Sequence, residues 1–201
     1  MFDGVLRPKL DPALNATARV AAGAGLSANT VTTLGLLTGI AAAVAIVFHM
    51  YWLGLVLVLL SRICDGLDGA VARINGKSDF GGYLDIVFDF AFYGMIPLAF
   101  ILADPAANAA AGGVLLLTFY VNGASFLTYA LMAEKRGIGE KERGSKSLLY
   151  TTGLTEATET ITAFCLMCLF PNWFSVIAYV FAAMVVFTTI NRFRQAYESF
   201  G

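Results

Sequence analysis

The sequence predicts an all-α polytopic membrane protein, six transmembrane helices preceded by an amphipathic helix lying in the membrane interface. Three observations lead there. The 201 residues are 58% hydrophobic and 13% charged, with mean hydropathy +0.74, which excludes an ordinary soluble domain. Six apolar runs have the length, ~20 residues, that crosses a bilayer core. All 13 lysines and arginines then fall on one side of the six-span layout. One membrane domain over 1–201 is expected, with an interfacial arm over 1–28 and the bundle over 29–201. A formal net charge of −1 says little about partners, because in a membrane the placement of charge matters more than its sum. No nucleic-acid partner is expected.

Residues 1–28 carry early acids, Asp3 and Asp11, and no continuous apolar run, unlike a signal peptide. Leu6, Leu10 and Leu14 recur every fourth residue among Arg7, Lys9, Asp11, Asn15 and Arg19, the pattern of an interfacial helix. Gly23 and Gly25 loosen the chain after it. The first two spans are expected over Thr30–Met50 and Tyr51–Val71. The next two cover Gly82–Leu102 and Gly112–Met132, and the last two Leu148–Phe170 and Trp173–Phe193. The connections His49–Trp52, Asp104–Ala111 and Pro171–Trp173 are short and nearly uncharged. The others are basic.

With the N-terminus in the cytoplasm, Arg7, Lys9 and Arg19 lie in the arm and Arg62, Arg73 and Lys77 near the second connection. Lys135, Arg136, Lys141, Arg143 and Lys146 fill the fourth, and Arg192 and Arg194 follow the last span. No basic residue lies in an outer loop. Both termini are therefore expected inside, on the cytoplasmic side of the membrane.

Four acids interrupt the apolar pattern around that second connection: Asp65 and Asp68, three apart, and Asp85 and Asp89, four apart. On helices each spacing puts both carboxylates on one face. Each pair adjoins the same loop, so the four can converge near the cytoplasmic surface. Unpaired charge at this depth costs a few kcal/mol or more, about what selection removes unless it serves a purpose. Arg62 and Arg73 are too few to neutralise four acids. Hard divalent cations do so, and oxygen-rich sets suit Mg²⁺, Mn²⁺ or Ca²⁺. Two such ions would clamp the attacking and leaving oxygens of a phosphoryl substitution.

The ordered residues Asp65, Asp68, Gly69, Ala72, Arg73, Gly81, Asp85 and Asp89 resemble the signature of the CDP-alcohol phosphotransferase family, D-x2-D-G-x2-A-R followed by G-x3-D-x3-D. One departure is visible: seven residues, Ile74 to Phe80, stand where the family usually has eight. The resemblance implies that Asp65, Asp68, Asp85 and Asp89 hold two divalent ions, Mg²⁺ or Mn²⁺. It implies that Asp89 is also the general base, and that Asn29, Thr32, Asp65, Gly69, Ala72, Arg73 and Gly81 line the pocket for the CDP group. Asn29 and Thr32 resemble the family's P-N-x-x-T stretch, with Ala28 in place of the proline; a helix N-cap at Asn29 is an equal alternative. The activity implied is transfer of the phosphatidyl group of a CDP-linked lipid, CDP-diacylglycerol first, to a hydroxyl acceptor with release of CMP. A homodimer is implied as well. Within this chemistry the alternatives are an aminoalcohol phosphotransferase using diacylglycerol and a cardiolipin-type synthase using phosphatidylglycerol. Outside it stand a cation transporter and an inactive scaffold.

For the acceptor the candidates are Lys141, Arg143 and Lys146, in a charged loop, and Glu156 and Glu159, read as an interior-facing pair within span five. The stretch from Ser147 to Glu159 also resembles a small bacterial inner-membrane branch of the family. Cys64, Cys165 and Cys168 are read as packing residues and His49 as an interfacial ring. Gly35 and Gly39, a G-x3-G, are read as an intramolecular contact.

Overall fold

The computed structural model describes the backbone of residues 3–137 and 155–201, and the side chains of 11–137 and 155–201. All regular structure among them is helical. The helices are α1 (Asp3–Gly23), α2 (Ala28–Val47), α3 (Tyr51–Asn75), α4 (Asp79–Ala103), α5 (Pro105–Lys135), α6 (Ala157–Leu169) and α7 (Phe174–Phe200). A short 3₁₀ turn, Pro171–Trp173, joins the last two. Lys141, Arg143 and Lys146 lie outside the described residues.

Helix boundaries follow local chemistry. At the end of α1 the Gly25 amide bonds the Ala22 carbonyl and the Leu26 amide reaches back to Ala21 at 3.1 Å, a closure that requires the left-handed φ of +83° at Gly25. The same closure ends α2, through Met50 and Ala45, with His49 in the left-handed position at φ +60°. The first span therefore stops at Val47. Ser27, not Asn29, caps α2, its hydroxyl accepting the Thr30 amide at 3.1 Å. This leaves the Asn29 side chain in the first turn free to face α4.

Two expected boundaries need correction. The connection expected over Asp104–Ala111 shrinks to Asp104, which caps the Ala107 amide at 3.1 Å; Pro105 and an alanine-rich run make the rest helical. Glu156 and Glu159, expected within span five, stand at a helix start rather than in a helix interior. They form the capping box that starts α6, each side chain bonding the other's backbone amide.

Among the described residues, four helical stretches are long and apolar enough to cross a membrane: Ala28–Val47, Asp79–Ala103, Pro105–Lys135 and Pro171–Phe200. With 25 residues, α3 has the length but carries Arg62, Asp65, Asp68 and Arg73 from its middle onward. The apolar helix α6 has 13 residues.

Helices α3 and α4 each pack on α2, α5 lies against α4 and α7, and α6 fits between α3 and α7. The core is aromatic: Phe92, Phe100, Phe164 and Phe174 are fully buried, with Phe100 and Phe174 stacked at 4.8 Å. Gly35 and Gly39 face inward. A Cβ on Gly39 would meet Phe92 at 2.8 Å, and one on Gly35 would meet Cys64 at 3.2 Å. A second, smaller cluster docks α1 through Ala18 and Ala21 on Val31, Ala70 and Val71. Leu14 covers Gly66 in α3. The arm thus has a helix-packing face besides whatever it turns to lipid.

Candidate active site

The α3–α4 connection reverses the chain at Gly76, whose φ of +96° suits glycine alone, and Ser78 restarts the helix by accepting the Gly81 amide at 3.0 Å. That hairpin lays Asp65 and Asp68 of α3 beside Asp85 and Asp89 of α4. Carboxylate oxygens of Asp65, Asp85 and Asp89 lie within 4.8 Å of one another. Asp68, 5% exposed, lines the same narrow cavity, and its Oδ2 is buried without a hydrogen-bond partner. Three carboxylates this close, with the orphaned Asp68 oxygen on the same cavity, fit a hard divalent cation.

One positive charge is already there. Arg62 Nη1 lies 2.6 Å from Asp89 Oδ1 and 3.4 Å from Asp65 Oδ1. Its guanidinium stacks on Phe92, 3.8 Å from the ring centre. Arg73 does not join the acids. It is exposed nearer the end of α3, donating to Asn15 Oδ1 of α1 at 3.3 Å.

Beside the acids a cavity of about 470 Å³ is walled by Asn29, Thr32, Asp68, Gly69, Ala72, Arg73, Gly81 and Asp85, together with Ser27, Asn75, Lys77 and Ser78. Six of the seven residues assigned by resemblance to the nucleotide pocket lie on this wall. Asp65 does not; it belongs to the narrow acidic cavity. Gly69 leaves its face open, with only Arg73 Nη1 near at 3.9 Å, whereas a Cβ on Gly81 would meet Asn29 Oδ1 at 2.9 Å.

Asp89 also borders a second cavity, of about 570 Å³, between α4, α5, α6 and α7. Its wall is mostly apolar, and on it Arg192 of α7 donates from Nη1 to Asn122 Oδ1 at 2.9 Å and to Ser125 Oγ at 3.1 Å. Glu156 lines it; Glu159 does not. Sequence reasoning took Arg192 for a topology charge and passed over Asn122 and Ser125. The available signal was two polar residues inside the fourth apolar run, with an arginine at the end of the sixth.

The family model described as CDP-alcohol phosphatidyltransferase matches residues 26–190. The inner membrane protein YnjF of Escherichia coli (strain K12) is 43% identical over 197 residues, 98% of this chain and 96% of that protein. Archaetidylinositol phosphate synthase of Pyrococcus horikoshii is 33% identical over 85 residues, 42% of this chain and 45% of that one. The fold resembles phosphatidylinositol phosphate synthase of Mycobacterium tuberculosis. With CDP-DAG bound, that enzyme superposes with a TM-score of 0.70 at 22% identity, over 90% of this chain and 92% of that one. With manganese and citrate the TM-score is 0.66 at 20% identity, over 92% and 88%.

Proposed function

The chain belongs to the CDP-alcohol phosphatidyltransferase family, and on that premise we propose that it moves the phosphatidyl group of CDP-diacylglycerol to a hydroxyl acceptor, releasing CMP. The observation that carries this reading is the convergence of the four aspartates on one narrow cavity, next to a larger one walled by the rest of the signature. The M. tuberculosis synthase of like fold holds CDP-DAG in one structure and manganese in another, which supports the same donor and cofactor class here.

Asp65, Asp68, Asp85 and Asp89 would hold two divalent ions, Mg²⁺ or Mn²⁺, which supply charge neutralisation for the diphosphate and for the oxygens that exchange on phosphorus. The chain's own residues do the rest. The cytidine and diphosphate occupy the larger signature cavity, where Asn29 and Arg73 offer donors and Gly69 leaves its backbone uncovered. The acceptor hydroxyl approaches through the second cavity to Asp89, which takes its proton. The acceptor oxygen bonds the β-phosphorus, the bond from that phosphorus to the bridging oxygen breaks, and CMP leaves with the electron pair.

The acyl chains stay in lipid throughout, so the donor enters sideways from the bilayer. Six spans, with both termini and the carboxylates on the cytoplasmic face, accommodate that route. The test is divalent-ion-dependent CMP release from CDP-diacylglycerol by the purified protein. The alcohols offered are glycerol 3-phosphate, inositol and its phosphate, serine and phosphatidylglycerol. Release with one alcohol, lost in Asp89→Asn, is expected. Silence with every alcohol, and then with CDP-aminoalcohols and diacylglycerol, overturns the reading.

A further inference from the structure

We propose that Arg62 is a fixed counter-cation of the carboxylate cluster, which keeps divalent ions weakly bound there until the donor's diphosphate arrives, so that metal and donor load together. The proposal rests on the divalent-metal reading above and assigns a role to a residue outside the signature.

Arg62 stands one turn before Asp65 on α3 and shares oxygens with two of the three carboxylates that cluster within 4.8 Å, Asp65 and Asp89. It has no way out. The guanidinium lies on the fully buried Phe92 ring, with the Tyr93 ring 5.6 Å away. Nη2 reaches Ser61 Oγ at 3.3 Å, and that hydroxyl is itself tied to the Gly35 carbonyl at 2.8 Å. The side chain is 9% exposed and Nε already lacks a partner, so retraction would strand more donors in an aromatic slot.

Charge counting shows what a trapped cation does. Four aspartates alone are balanced by two divalent ions with no donor present. With Arg62 added, one divalent ion leaves the cluster at −1 and a second takes it to +1, in surroundings of low dielectric. The diphosphate of the donor, two negative charges next to the same ions, takes that cluster from +1 to −1, whereas without Arg62 it would go from neutral to −2. Arg62 therefore disfavours the second ion in the free site and gives the two-ion cluster a positive charge that draws the diphosphate in. Like charges sharing an oxygen at this separation repel by enough to weaken ion binding by about tenfold or more, even at an effective dielectric of ~20.

The test reads binding, not turnover. Mn²⁺ is titrated by paramagnetic resonance into the full-length protein in nanodiscs, with and without CDP as soluble diphosphate probe, correcting for Mn²⁺ held by free CDP. For the wild type CDP is expected to tighten Mn²⁺ binding by about tenfold. Arg62→Gln is expected to bind Mn²⁺ alone about tenfold tighter than wild type and to gain little from CDP. Arg62→Lys, which keeps the charge without the planar fork, is expected to stay near the wild type. Equal affinity in Arg62→Gln and wild type overturns the role, as does Arg62→Lys behaving like Arg62→Gln. Should Arg62→Gln not fold, the wild type alone decides: no effect of CDP on Mn²⁺ refutes the proposal. No Mn²⁺ binding by any form, with or without CDP, overturns the metal reading and this role with it.

Discussion

Replacing Asp89 with asparagine separates its two roles, because the substitution removes a proton acceptor while sparing a hydrogen bond. The Asp89 Oδ1 that meets Arg62 at 2.6 Å is kept as an amide oxygen, so the guanidinium loses charge assistance rather than its partner. Asp65, at 3.4 Å, still faces it. The difference between a charged and a neutral acceptor is about 1 kcal/mol. Asp89 is 31% exposed, so solvent screening trims that figure further. The melting point in detergent without added metal should therefore fall by no more than about 2–4 °C. Losing a positioned base costs far more, about 10²–10⁴ in rate. Single-turnover formation of CMP from CDP-diacylglycerol, measured beside a thermal-shift curve, reads both. The expected result is a nearly unchanged melting point with turnover down at least about a hundredfold. Turnover within a few-fold of wild type would remove Asp89 as the base. Collapse of both readings would make it a structural counter-ion of Arg62.

Gly81→Ala places a Cβ 2.9 Å from Asn29 Oδ1 and 3.0 Å from Ser78 Oγ, pushing Asn29 into the nucleotide cavity; the KM for the CDP-lipid should rise several-fold with kcat less affected. Gly39→Ala drives a methyl to 2.8 Å from the buried Phe92 ring that supports Arg62, and should cost about 1–3 kcal/mol, read as a lower melting point in detergent. Glu156 lines the cavity next to Asp89 whereas Glu159 does not, and glutamine serves a capping box as well as glutamate. Glu156→Gln should accordingly raise the acceptor KM and Glu159→Gln should not; equal effects would return both to helix capping. In a cysteine-free background, Ile63→Cys should resist water-soluble maleimide in membranes and Lys77→Cys should react from the cytoplasmic side; labelling of Ile63→Cys would place that turn of α3 outside the bilayer.

The carboxylates were legible because spacing alone puts acids at i, i+3 and i, i+4 on one helix face, and apolar surroundings make such acids costly without a purpose. What spacing cannot show is which charges meet across helices. Arg62 and Asp89 are 27 residues apart and Arg192 and Asn122 are 70 apart. Arg192 therefore read as a topology charge and Arg62 as a counter-charge too weak for four acids, although each is built into a cavity wall. The caps misled for a local reason: Ser27, Asn29 and Thr30 all suit a helix start, and only the geometry shows that Ser27 takes the role and leaves Asn29 to the site. The same distinction settles how α3 should be read. Hydropathy counts its charges without asking which face they occupy. Arg62 and Asp68 are largely covered by neighbouring helices, whereas Trp52, Val56, Leu60 and Ile63, a helical stripe of three- and four-residue steps, are between 45% and 73% exposed. An apolar stripe left bare on a helix whose opposite face is ionic is the pattern of a helix with one face in hydrocarbon, and on that ground we propose α3 as a further span.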